Sequence, residues 1–127
     1  MYSNKFMEHF LRPKNNGKLE DFDFYGKAVH SVDSDEIVIY IKLEGKIIKK
    51  VGYQIKGCPR AIAASSAFST LIKGKSMEEA LNISERDIRK ELEFYDEKFT
   101  CISIPVEAFK KAVEASKNER VENIDNQ

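Results

Sequence analysis

The chain has no tryptophan, only two cysteines and three prolines, and no net charge across 127 residues. Each shortage excludes something. Cys58 and Cys101 stand far apart and follow no export signal, so they read as free thiols, metal ligands or redox groups rather than a structural disulfide. Lysine plus arginine equals aspartate plus glutamate at 21 each, with the signs interspersed, so the basic footprint of a nucleic-acid or anionic-membrane binder is missing. The opening Met1-Tyr2-Ser3-Asn4-Lys5-Phe6-Met7-Glu8 is polar and amphipathic, and no apolar run approaches transmembrane length. A cytoplasmic protein with no nucleic-acid or membrane partner is expected. Gly74-Lys75-Ser76 lacks the upstream glycines of a phosphate loop, and neither a nucleophile elbow nor a catalytic triad is visible. The length suits one core; a single domain over 1–117 and a frayed polar tail over 118–127 are expected.

What is present divides into strands first and helices after. Ser3 can cap a short helix carrying Phe6, Met7, Phe10 and Leu11, which Pro13 stops. Gly26 to Val32, Glu36 to Leu43 and Lys46 to Lys56 read as strands, with Ile37, Ile39, Ile41 and Leu43 on one face and Ile47, Val51, Tyr53 and Ile55 on one face of the next. Helices are predicted from Pro59 to about Lys73, after the capping box Ser76-Met77-Glu78-Glu79, after Ser84 and from Pro105. This order gives an α+β fold: a three-stranded antiparallel sheet with helices on one face and the other more exposed.

Gly57-Cys58-Pro59 sets a thiol where a strand gives way to a helix. Gly57 permits a tight turn, Pro59 suits the first helical position, and Cys58 is then the N-cap. A helix N-terminus favours thiolate over thiol, the form that ligates metals and accepts sulfur. Two further segments can join it: the loop from Val29 to Glu36, with Asp33 and Asp35, and Thr100-Cys101. Two thiolates and two carboxylates suit a tetrahedral zinc or iron site, although no CxxC pair exists. The competing reading is plain: buried cysteines as small hydrophobes, and Asp33-Ser34-Asp35 as turn chemistry. His9 and His30 have no partner at ligand spacing and read as packing or surface residues, and Tyr2, Phe6 and Phe10 as core aromatics.

Over residues 2–115 the chain resembles the iron-sulfur cluster assembly scaffolds of the IscU type, also found as the N-terminal domain of NifU. The resemblance rests on Tyr2-Ser3, His9-Phe10, Pro13-Lys14-Asn15, Gly17 and Leu19-Glu20-Asp21. It continues through Gly57-Cys58, Ala61-Ile62-Ala63, Ser65-Ser66, Gly74-Lys75-Ser76, Glu78-Glu79-Ala80, Lys98 and Cys101. It implies the same three-stranded fold and a cluster or metal held by three cysteines, an aspartate and a histidine. Asp35, Cys58 and Cys101 match the aspartate and the second and third cysteines, whereas Asp33 replaces the first cysteine and Thr100 the histidine. Ser34 and Pro59 replace glycines, and Phe94-Tyr95-Asp96-Glu97 replaces the proline-rich chaperone motif ahead of a retained Lys98, the implied partner-binding residue. The long insertion of the zinc-dependent SufU branch is absent between Ile83 and Lys98.

The resemblance therefore implies a non-enzymatic scaffold that holds iron, zinc or a labile iron-sulfur cluster through Asp33, Asp35, Cys58 and Cys101. Cys101 is the implied acceptor of sulfur from a cysteine desulfurase, and acceptor apoproteins are the implied recipients. In a variant of this reading a homodimer bridges a cluster with Cys58 and Cys101 from each chain. Replacing a soft sulfur by a hard oxygen weakens the preference for a cluster. A divergent paralogue acting as a binding or regulatory module is the alternative, and a freestanding thiol enzyme using Cys58 is a third, with no base beside it in sequence.

Overall fold

Isoleucines and valines recur along two strands, β2 (Asp35–Glu44) and β3 (Ile47–Lys56), and the shorter β1 (Phe24–His30) joins them, all paired antiparallel in the order β1-β2-β3. The computed structural model describes residues 2–32 and 34–125, with side chains as far as residue 118. Helices α1 (Asn4–Leu11), α2 (Pro59–Ile72), α3 (Met77–Ala80), α4 (Glu85–Leu92) and α5 (Ile104–Asp125) complete it, with a 3-10 turn at Thr100–Ser103. The predicted α+β class and antiparallel meander are those observed, and the backbone of α5 remains helical to Asp125.

Ile37, Ile39 and Ile41 are buried on one sheet face, as their alternation predicts, where α5 covers β1 and β2 and α2 packs on β3. On β3 the alternation misleads. A bulge shifts the register, so that Lys42 faces Lys50 but Leu43 faces Ile48; Ile48 is buried and Ile47 exposed. Gly26, opposite Ile39, lets α5 lie directly on β1: a Cβ there would stand 2.0 Å from the Ala108 carbonyl oxygen. The opposite face is not bare, since Phe22 packs on Tyr40 at 5.1 Å and the Gly17–Leu19 segment crosses Gly52 too closely to admit a Cβ.

Helix α2 is the centre of the helical layer. Its small residues allow contact on nearly every side, and Ala61, Ala63, Ala64, Ala67 and Phe68 are buried together with Ser65, Ser66 and Ser69. At α1, Ser3 accepts from the Phe6 N–H, and Phe6 is fully buried under Tyr2; Leu11, the last helical residue, is exposed. Ser76 and Glu79 form the predicted capping box of α3, and the Asp87 carboxylate accepts from the Ser84 N–H at the start of α4. Between α4 and the 3-10 turn, buried Arg89 donates to the carbonyls of Asp96 and Phe99 at 3.0 and 2.9 Å. That guanidinium holds an irregular stretch in place and thereby positions Thr100 and Cys101.

Candidate metal centre

The site lies where three chain segments end together. Asp35 opens β2 and is buried; Cys58 follows β3 as the N-cap of α2 in extended conformation, with Pro59 at the first turn; Cys101 sits fully buried in the 3-10 turn. Because β2 pairs with β3 up to Glu36 and Lys56, the start of one strand and the exit of the other are adjacent. Gly57 makes the approach close, for a Cβ there would lie 2.6 Å from Asp35 Oδ1.

Asp35 accepts twice from one residue: Oδ1 from the Cys58 N–H at 3.1 Å and Oδ2 from the Cys58 thiol at 3.3 Å. The two sulfurs stand 3.5 Å apart. All three donor atoms lie within 4.8 Å of one another. Cys58 itself makes no side-chain cap bond to α2 and is only half-buried. Burial, then the hydrogen bond and charge of Cys58 and the charge of Asp35, push the Cys101 thiol up to about 12, against the pull of Arg60. Filling the site with a cation reverses the electrostatic part of that shift and displaces the proton.

The donor set fits a transition metal. Two thiols and a carboxylate converge at one buried edge, bonded to one another at the positions where a shared ion would sit, and their softness suits zinc, ferrous iron or a cluster. Arg60 borders them, its guanidinium 4.0 Å over the Phe99 ring and its Nη1 donating to the Tyr2 hydroxyl.

The other sequence-predicted residues fall differently. Asp33 lies outside the described residues. Lys98 is exposed, and its N–H is bonded to Asp96 Oδ1. Neither histidine is an isolated surface group. Buried His9 is bracketed by Ser66 Oγ at 2.7 Å and Glu91 Oε2 at 3.2 Å, while His30 Nε2 meets Thr100 Oγ1 at 2.8 Å. The serine, histidine and glutamate copy the order of a hydrolytic triad. They are not one: Ser66 Oγ is buried and already accepts the Lys14 N–H at 2.8 Å, so no substrate atom can reach it. Sequence reasoning missed these pairs and Arg89, because their partners are brought together only by the fold.

Comparisons with known proteins identify the family of the chain. The model of the NifU-like N terminal domain matches residues 1–123. An iron-sulfur cluster assembly scaffold protein, IscU 1 of Archaeoglobus fulgidus, is 37% identical over 114 residues, covering 89% of this chain and 74% of that protein. The IscU scaffold protein of Escherichia coli K12 is 32% identical over 123 residues, covering 94% and 96%. Among solved structures, a putative SUF-system scaffold from Fervidobacterium islandicum superposes with a TM-score of 0.73 at 23% identity, covering 87% of this chain and 95% of its own. A NifU-like N-terminal protein from Brucella abortus gives 0.71 at 13% identity, over 91% of each chain. The chain, with its aspartate and two thiols gathered at one sheet edge, belongs to the family of the NifU-like N-terminal domain and the IscU-type scaffolds.

Proposed function

We propose that the protein is a scaffold for iron-sulfur cluster assembly, holding iron, a labile cluster or zinc as cargo rather than catalysing a reaction. The observation that carries this is the convergence of Asp35, Cys58 and Cys101 within 4.8 Å from three separate segments. The resemblance gives Asp33 as the fourth donor. Among the described residues no helix is long and apolar enough to cross a membrane, which is compatible with work in the cytoplasm.

Sulfur would arrive from a cysteine desulfurase. The Cys101 thiolate attacks the outer sulfur of the desulfurase persulfide, a new S–S bond forms on Cys101, and the desulfurase cysteine leaves as thiolate. Half-buried Cys58, 3.5 Å away, is the competing acceptor. Exposed Lys98, three residues after exposed Tyr95, would face the partner protein, and apoproteins would take the finished cluster. A bridging cluster between two chains is the dimeric form of the same chemistry.

Anaerobic reconstitution with iron and sulfide, followed by visible absorption and native mass measurement, tests the reading. A coloured, metal-loaded product that Cys58→Ala and Cys101→Ala both abolish is expected; a colourless, metal-free product overturns it. Incubation with a desulfurase and peptide mapping then locates the added sulfur, on Cys101 if the assignment is right.

A further inference from the structure

Among the described residues, only one buried side-chain nitrogen or oxygen has no hydrogen-bond partner, and it is Nε of Arg60. A buried donor left unanswered is costly, so its presence beside a metal centre calls for a reason. The rest of the guanidinium is held in place. It lies 4.0 Å over the Phe99 ring, and Nη1 donates to the hydroxyl of Tyr2, which is itself stacked on buried Phe6. Arg60 follows Cys58 by two residues in the first turn of α2, and Phe99 precedes Cys101 by two, so the stacked pair joins the segments that carry the two thiols. Both sulfurs feel the guanidinium, Cys101 as a hydrogen-bonding neighbour and Cys58 through its charge.

We propose that Arg60 is a positioning residue of the metal centre, its Nε–H donating to the Cys101 sulfur when that sulfur is a ligating thiolate, and its charge offsetting the excess negative charge of the donor set. This rests on the metal-holding reading of Asp35, Cys58 and Cys101. A thiol is a weak acceptor, and in the metal-free site the two sulfurs are turned to one another at 3.5 Å. Metal binding displaces the thiol proton and leaves an anionic sulfur, which accepts a far stronger, charge-assisted bond. The donor that is unanswered in the empty site is thus matched to the loaded one. Charge points the same way: two thiolates and a carboxylate bring one negative charge more than a divalent cation neutralises, and the arginine supplies the balance. Partners of this kind fix ligand orientation, and hydrogen bonds to ligating sulfur tune the metal.

The test is anaerobic titration of the full chain with zinc(II), and with cobalt(II) as a spectroscopic probe, alongside Arg60→Met and Arg60→Gln. Methionine keeps an apolar stem without charge or N–H, and glutamine is a second neutral replacement in case the first disturbs folding, which circular dichroism reports. Zinc affinity should fall about tenfold in each. The sulfur-to-cobalt charge-transfer band should also move to longer wavelength, because a thiolate that has lost its donor holds its electrons less tightly. A residue that only clamps Tyr2 and Phe99 together would weaken binding and leave the band where it is. A stationary band in either folded variant, or unchanged zinc affinity, overturns the role of Arg60 while leaving the metal reading intact. Failure of the unaltered chain to bind either metal, or binding indifferent to Cys58→Ala, overturns both.

Discussion

Two polar inclusions interrupt the apolar layer around α2, and they differ in how far their atoms satisfy one another. Midway along the helix, Ser66 joins His9 and the Lys14 N–H, Ser69 donates to the Ser66 carbonyl, Asn15 reaches Ser69, and Tyr53 donates to the Lys14 carbonyl at 2.9 Å. Every member has a directional partner, and the network fastens the segment after α1 to the helix. At the N-terminus of the same helix, two thiols and a carboxylate lean mostly on one another, helped by the Cys58 N–H and by Arg60 beside Cys101. Sulfur is a poor hydrogen-bonding atom, so the contacts at 3.3 and 3.5 Å return little of what burying these groups costs. A closed network reads as structure; a group of soft donors with weak mutual bonds reads as a place for something else.

That contrast can be broken by experiment. The largest effect is expected from Cys58→Ala or Cys101→Ala, which should lower metal affinity beyond the roughly 10–100-fold of a change in an outer-shell partner. Isothermal titration with zinc measures this, and circular dichroism should show the fold retained. Gly57→Ala comes next. Its Cβ would stand 2.6 Å from Asp35 Oδ1, forcing a buried carboxylate away from the Cys58 N–H. An affinity loss of about tenfold is expected, on the scale of a disturbed supporting contact; unchanged binding would mean that Asp35 is not a ligand.

Ser66→Ala should divide the regions the other way. It deprives His9 Nδ1 and the Lys14 N–H of their shared oxygen in a buried place, a loss of about 1–3 kcal/mol by chemical denaturation. Zinc affinity should not move. If it fell as far as in Cys58→Ala, the separation between fastening network and metal centre would collapse.

The sequence was a good guide wherever local rules decide the outcome. Alternation placed Ile37, Ile39 and Ile41, the capping box placed α3, and the Gly57-Cys58-Pro59 turn placed the N-cap thiol. Where one inserted residue or a distant partner decides, it was silent. A bulge leaves alternation looking intact on both sides, so Ile47 and Ile48 exchanged faces without warning. Serines in α2 look like surface residues until a loop arrives to use their hydroxyls. Cys58 meets Asp35 and Cys101 at sequence separations of 23 and 43, and His30 meets Thr100 at 70. The first two meetings followed from family resemblance; the last had no signal, because only the β1–β2 register and the Arg89-held turn create it.

The smallest expected effect belongs to the closed network and is visible only in alkali. Tyr53 is buried, and that burial pushes its phenol from 10.0 to about 12, with a hydrogen bond to Ser66 opposing the rise. The folded state thus holds a proton that the unfolded chain releases near its ordinary value. The stabilisation is complete below about pH 10 and declines as pH rises towards 12, where the folded phenol also ionises. Urea unfolding across this range should show a falling stability whose slope is reduced in Tyr53→Phe, with a modest constant loss from the bond to the Lys14 carbonyl. An undiminished slope would move the alkaline weakness elsewhere. Tyr53 would then be an ordinary core aromatic, and the network would end at the serines.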